Sequence, residues 1–564
     1  MNSSFTLDPF SSSVQKTTRR MDTDRLIERL WNGDVTLWKD DPRQQKIIGR
    51  SLGWLTVAEA LLEKLPDLNA LAREVSEDGI DHLLLMGMGG SSLCPEVFRR
   101  TFGRIEGFPQ LLVLDSTDPS TIRRMEKTVD PSRTLYLVAS KSGTTTEPLM
   151  FYRYFFDKVA EVSAAPGRNF IAITDPGSQL ERLAREQNFR RIFQNWADIG
   201  GRYSALSYFG MVPAALMGLD VKEILQRAVA AGRHCRAPSA ENPAARLAAA
   251  LAQLAREGRD KVTLVIPPPL NSLGLWIEQL VAESTGKEGR GLLPVAGEPL
   301  GPPGVYGQDR VFLYIRTSGS VNPRIQAQLE ALKEAGHPVI TRVVPDPLSL
   351  GGEFFVWEFA TALAGAVLEI NPFDQPNVQE SKDNTGRLLE VVRSEGRLPL
   401  QELLIEERGC QIFGEASTQP KTLDDVIRAH LARVRKGDYV ALTAYIPETD
   451  EHDQLLEAIR RRIRDALKVA TTVGYGPRFL HSTGQLHKGG RDNGVFIQIT
   501  AADVEDLEIP GEPYTFGVLK QAQALGDFQS LASRHRPIIR FHLGQKVGSG
   551  LQTLLEVVIR ASKG

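Results

Sequence analysis

Cysteine is scarce in this chain of 564 residues. There are three, Cys94, Cys235 and Cys410, and no two are close in sequence. That excludes a clustered-cysteine zinc site and a disulfide framework, and it fits a reducing compartment, so a cytoplasmic location is expected. No convincing metal-ligand cluster stands out either, and neither a metal nor another cofactor is expected. An excess of charge of one sign is also missing. Lys and Arg total 67 against 69 Asp and Glu, a formal net charge of −2. Nothing there favours nucleic acid or an anionic membrane surface as a partner. No uninterrupted apolar run is long enough to span a bilayer. The opening stretch, MNSSFTLDPFSSSVQKTTRRMD, lacks the apolar run of a signal peptide, and its first twenty residues read as a polar, mobile lead. The GxxxxGK[ST] loop of nucleotide hydrolases is absent, and GMGGSS does not have the G-x-G-x-x-G spacing of a dinucleotide site.

What remains is an ordinary globular composition, 42% hydrophobic and 24% charged, in a chain long enough for about two to four domains. Helical spacing marks RLIERLW and LTVAEALLEKL in an N-terminal segment, residues 1–75. From Asp81 the pattern changes. The apolar runs HLLLM, QLLVLD, TLYLVAS and FIAIT alternate with amphipathic helices, which predicts a parallel sheet covered on both faces. This first unit is assigned to 76–255. A second, 256–400, runs KVTLVIPP, VFLYIR, PVITRVV and a long helix to Leu368. Residues 394–422 read as a linker or excursion. The C-terminal α/β domain, 401–564, repeats the order of the second unit, through DYVALTAYIP, GVFIQIT and PIIRFHL. It is expected to be a degenerate copy of that unit, a reading that a different strand order would overturn.

Five segments carry chemistry. MGMGGSSLCPEVF, from Met86 to Phe98, is strand, Gly-rich turn and helix, a backbone that suits an anion or a close approach. ASKSGTTTEP, Ala139 to Pro148, crowds five hydroxyls around Gly143 beside a helix N-terminus. That points to a phosphate held without much fixed charge, with Lys141 available as a cation. In ADIGGRYSALS, Arg202 follows two glycines and is placed to neutralise negative charge developing in a reaction. In LGLWIEQLVAESTGKEGRG, Glu283 ends an apolar helix, where partial desolvation favours proton abstraction, and Gln279 lies one turn earlier on the same face. NPFDQPNVQESK sets Gln375 and Lys382 two helical turns apart, on one face if the segment is helical.

Each segment alone has a bland reading, as a helix cap, a surface turn or a solvated helix end. Their order is more specific. GMGGSSL, SKSGTTTE, GGRYS, ESTGKEG, GEP…GQD and FDQPNVQESK, spread over Leu83 to Lys382, resemble the glucose-6-phosphate isomerase family. The resemblance is closest to the isomerase half of bacterial fusions with transaldolase. It implies an α/β fold of two doubly wound parallel-sheet sugar-isomerase domains, and interconversion of glucose 6-phosphate and fructose 6-phosphate through a cis-enediol, with no metal. By the same match, Gly90, Ser91, Ser140, Lys141, Ser142 and Thr145 line the sugar-phosphate site. Arg202 stabilises the enediolate, Glu283 moves the proton with Gln279 beside it, Gln375 contacts substrate and Lys382 assists at the ring oxygen.

One departure stands out. Asp309 occupies the place, after GQ, where longer members carry the ring-opening histidine. FLHSTGQLHKGG, with His481, resembles the segment that carries this histidine in short bacterial members, but here it follows the FDQ motif instead of preceding it. The family's histidine comes from the neighbouring subunit. His481 is therefore expected to be delivered by the C-terminal domain of the same chain, with Asp309 or Lys382 as alternatives. The protein is then a homodimer by resemblance, or a monomer if that domain replaces the partner. Activity on mannose 6-phosphate, which shares the enediol, and non-catalytic sugar-phosphate binding remain as alternative functions.

Overall fold

A computed structural model describes residues 2–414 and 421–562. Three α/β units each carry a largely parallel sheet. The first contains β2 (His82–Gly87), β3 (Gln110–Leu114), β4 (Thr134–Ala139), β5 (Phe170–Thr174) and β6 (Arg191–Gln194), in the order β3-β2-β4-β5-β6, after β1 (Asn2–Thr6) has joined another sheet. The second contains β7 (Lys261–Val265), β8 (Leu293–Val295), β9 (Arg310–Thr317) and β10 (Val339–Val344), in the order β10-β9-β7-β8, with β1 added antiparallel on the β10 edge. The third contains β11 (Leu403–Glu407), β12 (Cys410–Gly414), β13 (Tyr439–Tyr445), β14 (Ala470–Tyr475), β15 (Gly494–Thr500) and β16 (Ile538–His542), in the order β11-β12-β16-β15-β13-β14.

The local sequence explains these elements. β2 and β4 are continuous apolar runs because helices cover both of their faces. The helices Pro119–Thr128, Pro243–Arg256 and Pro323–Glu334 each start with proline, behind an Asp or Asn whose side chain accepts from the first free amides. The helix Leu350–Leu368 is apolar on all sides since it is buried on all sides. It lies within a stretch long and apolar enough to cross a membrane by composition, 89% of which is buried in the protein.

Two expectations need correction. The opening residues are not a loose lead: Asn2–Thr6 pair with β10, and Ser11–Thr23 form a helix that buries Val14 and Met21. The stretch read as a linker contains the β11–β12 hairpin, which pairs with β16; residues 415–420 of it lie outside the described residues.

The second and third sheets have the same strand order, β10-β9-β7-β8 and β16-β15-β13-β14. Each bears an antiparallel strand on the corresponding edge, β1 in one and β12 in the other. The corresponding edges β8 and β14 face each other, and one apolar cluster joins Leu293 and Val295 to Tyr439, Ala441 and Ala470. The contacts are reciprocal. Arg460, on the helix after β13 (Asp450–Leu467), donates to the carbonyl of Ala296 after β8 at 2.9 Å. Gln279, on the helix after β7 (Leu273–Thr285), donates to the carbonyl of His481 after β14 at 2.8 Å. Like elements meeting like elements in exchanged pairs is the signature of a local twofold axis.

Candidate active site

The site forms beyond the C-terminal ends of β2 and β4, where the first sheet's strand order reverses, the usual crevice of an open α/β sheet. Backbone proximity dictates the glycines of the turn after β2. A Cβ on Gly90 would sit 1.9 Å from the Gly201 carbonyl oxygen, and one on Gly89 would sit 2.8 Å from Gln279 Nε2 and 3.0 Å from the His481 carbonyl oxygen. The turn is thereby wedged between the Arg202 loop and the third unit, and it carries Ser91, which is buried.

After β4, the hydroxyl-rich loop folds on itself. Ser140 Oγ donates to Thr145 Oγ1 at 3.0 Å and accepts from the Gly143 amide, while Ser142 and Thr144 hydroxyls lie 2.9 Å apart. The helix Thr146–Ala160 follows, and no side chain among the described residues caps its N-terminus. Its free amides and the neighbouring hydroxyls together suit an anion. Lys141 does not join them. Its ammonium pairs with Asp175 and donates to the Ala197 carbonyl at 3.0 Å.

Arg202 and Glu283 meet inside the protein, with Arg202 NH1 3.3 Å from Glu283 Oε1 and both residues less than 8% exposed. Arg202 is held from every side. It donates to Ser284 Oγ (2.8 Å), Gln375 Oε1 (2.9 Å) and the carbonyls of Pro372 (2.7 Å) and Asp374 (2.9 Å). Gln279 Nε2 bridges Glu283 Oε2 (3.2 Å) and the His481 carbonyl, and its buried Oε1 has no partner among the described residues. His481 ends a short turn, Arg478–His481, and its Nε2 lies 3.2 Å from Glu147 Oε1. Burial would raise the Glu147 pKa, but the charge and hydrogen bond of His481, with a smaller contribution from Lys382, hold it below the ordinary carboxylate range.

The comparisons with known proteins come out in one direction. The family model for phosphoglucose isomerase matches residues 72–321. A glucose-6-phosphate isomerase of Symbiobacterium thermophilum is 30% identical over 389 residues, which is 60% of this chain and 86% of the relative. The chain belongs to the phosphoglucose isomerase family. A glucose-6-phosphate isomerase of Rubrobacter xylanophilus is 31% identical over 55% of this chain and 83% of the relative. Among solved structures, a hypothetical protein of Thermus thermophilus shares the fold at a TM-score of 0.59 and 24% identity, over 68% of this chain and 99% of that one. A glucose-6-phosphate isomerase of Chlamydia trachomatis shares it at 0.56 and 19%, over 69% and 88%.

Of the residues that the phosphoglucose isomerase motifs single out, the structure gathers Arg202, Gln279, Glu283, Gln375 and His481 into one bonded group, with Gly90 packed against the Gly201 carbonyl beside it. Ser91, Ser140, Ser142 and Thr145 lie on the two loops that border it. Lys382 is exposed on the helix Pro376–Glu395, the helical placement that its spacing from Gln375 requires. Asp309 stands apart. Its ionic partner is Lys261, at 3.3 Å, and no bond ties it to Glu283, Arg202 or His481 among the described residues. His487, the neighbour of His481 in the same segment, is fully buried against Tyr439, and burial pulls its pKa down to about 3.

Three members of the group were not singled out from sequence. Glu147 closes the SKSGTTTE motif, which offered a signal. Lys287 lies in ESTGKEG; it is 2.7 Å from Asp374, and burial pulls its pKa down to about 8 against that partner. Gln523, which donates to Glu147 at 2.7 Å, has no sequence signal at all.

Proposed function

We propose that this chain interconverts glucose 6-phosphate and fructose 6-phosphate, with one complete active site built from a single chain. The phosphate binds the Ser140, Ser142 and Thr145 hydroxyls and the uncapped helix N-terminus behind them. His481, protonated, opens the ring: it gives its proton to the ring oxygen as the C1–O5 bond breaks, and a solvent water takes the proton of the C1 hydroxyl, with Glu147 orienting the imidazole. Glu283 takes the proton from C2, the displaced electron pair forms the C1–C2 enediolate with its charge on O1, the O2 proton passes to O1, and Glu283 returns its proton to C1 as C2=O forms. Arg202, fixed by four other bonds, faces that negative charge without having to reorganise. Gln279 holds Glu283 and the His481 backbone together. Lys141, turned toward Asp175, shapes its loop.

The observation that carries this reading is the juxtaposition of Arg202–Glu283 with His481–Glu147. The third unit supplies His481 where, in the resemblance, a partner subunit would, so we propose that it is a copy of the second unit and that a monomer suffices. Free, buried cysteines and a phosphorylated substrate support a cytoplasmic location. Glu283→Gln is the direct test. A coupled assay of fructose 6-phosphate formation should show turnover lower by about 10²–10⁴-fold, the range for removing a general base. Unchanged turnover would exclude Glu283 as the base.

A further inference from the structure

A cavity of about 760 Å³ lies apart from the site described above. It lies at the C-terminal ends of β7 and β8, the crevice of the second sheet, and falls in the size range of small-molecule sites. Its walls come from all three units. Leu93 and Arg100 belong to the helix that follows the Gly89–Ser91 turn. Glu278 precedes Gln279 on the Glu283 helix. Ser482 follows His481, and Asp453 and Arg460 come from the third unit. Three of these walls are thus the reverse sides of elements that build the catalytic site.

The charges are unequal in availability. Arg460 is spent on the Ala296 and Thr471 carbonyls, Arg478 on Asp115 and Glu448, and Arg100 on Glu96 and Glu448. Arg324, exposed at the rim, has no carboxylate partner among the described residues. It follows TSGSVN, the loop after β9, which corresponds in the sheet order to the hydroxyl-rich loop after β4. Deeper in, Glu278 is 7% exposed; its carboxylate accepts from the Ala296 backbone and faces Arg460, and no side chain is hydrogen-bonded to it among the described residues, while Asn271 adds an exposed amide at the mouth.

The geometry points to a second ligand site in this cavity, for a monophosphorylated sugar or polyol, with the phosphate at Arg324 and the hydroxyls toward Asn271 and Glu278. Burial raises the Glu278 pKa to about 7, so near neutrality this carboxyl both donates to and accepts from hydroxyls. An occupant pressing on the walls shared with Gln279 and His481 changes turnover. That last effect rests on the isomerase reading; the binding does not.

Calorimetry on the full chain separates the two, with ribose 5-phosphate, glycerol 3-phosphate and inorganic phosphate as probes. In a Ser140→Ala/Thr145→Ala variant, whose catalytic phosphate loop is disabled, one equivalent of ribose 5-phosphate should still bind. Adding Arg324→Ala should weaken that binding at least tenfold, and Asn271→Leu, an independent change in the wall, should weaken it as well. Inorganic phosphate should bind more weakly than the sugar phosphate. No residual binding in the loop variant, residual binding indifferent to Arg324→Ala, or equal affinity for inorganic phosphate would each overturn the proposal while leaving the catalytic reading intact. Conversely, a loop variant with full isomerase activity would count against that reading and not against this cavity.

Discussion

The pairing of His481 with Glu147 puts the proposed acid–base group and the carboxylate that would orient it 334 residues apart in sequence. Glu147→Gln keeps the shape but removes the charge that steadies an imidazolium. Turnover on ring-closed substrate should fall by about 10²-fold or less, and His481→Ala should cost more, within the range for lost acid–base catalysis. Asp309→Ala should leave turnover unaffected, and a larger loss in Asp309→Ala than in His481→Ala would return ring opening to Asp309. Glu283, Gln279 and Arg202 stood out through the order of the family's motifs, since helix periodicity and paired glycines alone also describe a solvated helix end and a surface turn. Glu147 did not, since a carboxylate in the first turn of a helix is what the helix dipole favours anyway. Lys141 is ambiguous for a similar reason: its long stem lets one backbone position reach either the anion loop or Asp175, with which it pairs here, and sequence does not distinguish them.

At the scale of elements, the alternation of apolar strands with helices is periodic and therefore readable, while edge strands are not. β11 and β12 turn back through Arg408 and Gly409, both at positive φ (54° and 72°). That is a two-residue hairpin whose first position lacks the Asn or Asp that usually signals it. The short turn that carries His481 is anchored by Arg478, which donates to Asp115 at 2.7 and 2.8 Å and to Glu448 at 2.8 Å. Removing one member of a buried ionic cluster leaves the others uncompensated. Arg478→Ala should cost about 3–5 kcal/mol in urea unfolding. It should also lower turnover although the side chain touches no reacting atom. A stability loss below about 1 kcal/mol, far under that range, would show that the anchor is dispensable.

At the scale of the whole molecule, the ionic cluster joining the first and third units sets an acid limit. Burial opposes ionisation of Glu448, yet Arg478 and Arg100 outweigh it and lower its pKa from the ordinary 4.5 to about 2. A depressed carboxylate pKa stabilises the folded state above the unfolded value and ceases to do so as pH falls through the folded one. Stability should therefore decline between about pH 4.5 and 2, and Glu448→Gln should flatten that part of the profile in pH-dependent unfolding. Specific activity should stay constant on dilution from micromolar to nanomolar, because both halves of the site are covalently linked; a concentration-dependent loss would show that a second chain is needed.

The strand β1 has a consequence for how the chain is made. Asn2 pairs with Val343, so a ribosome working at about 5–20 residues per second exposes β1 for roughly 20–70 s before its partner emerges. Through that interval an unpaired strand waits, the situation that invites aggregation. NSSFT is polar at four of its five positions, where a self-sufficient strand would carry an apolar face. The composition that hides this strand from a reading of the sequence also makes its wait on the ribosome harmless.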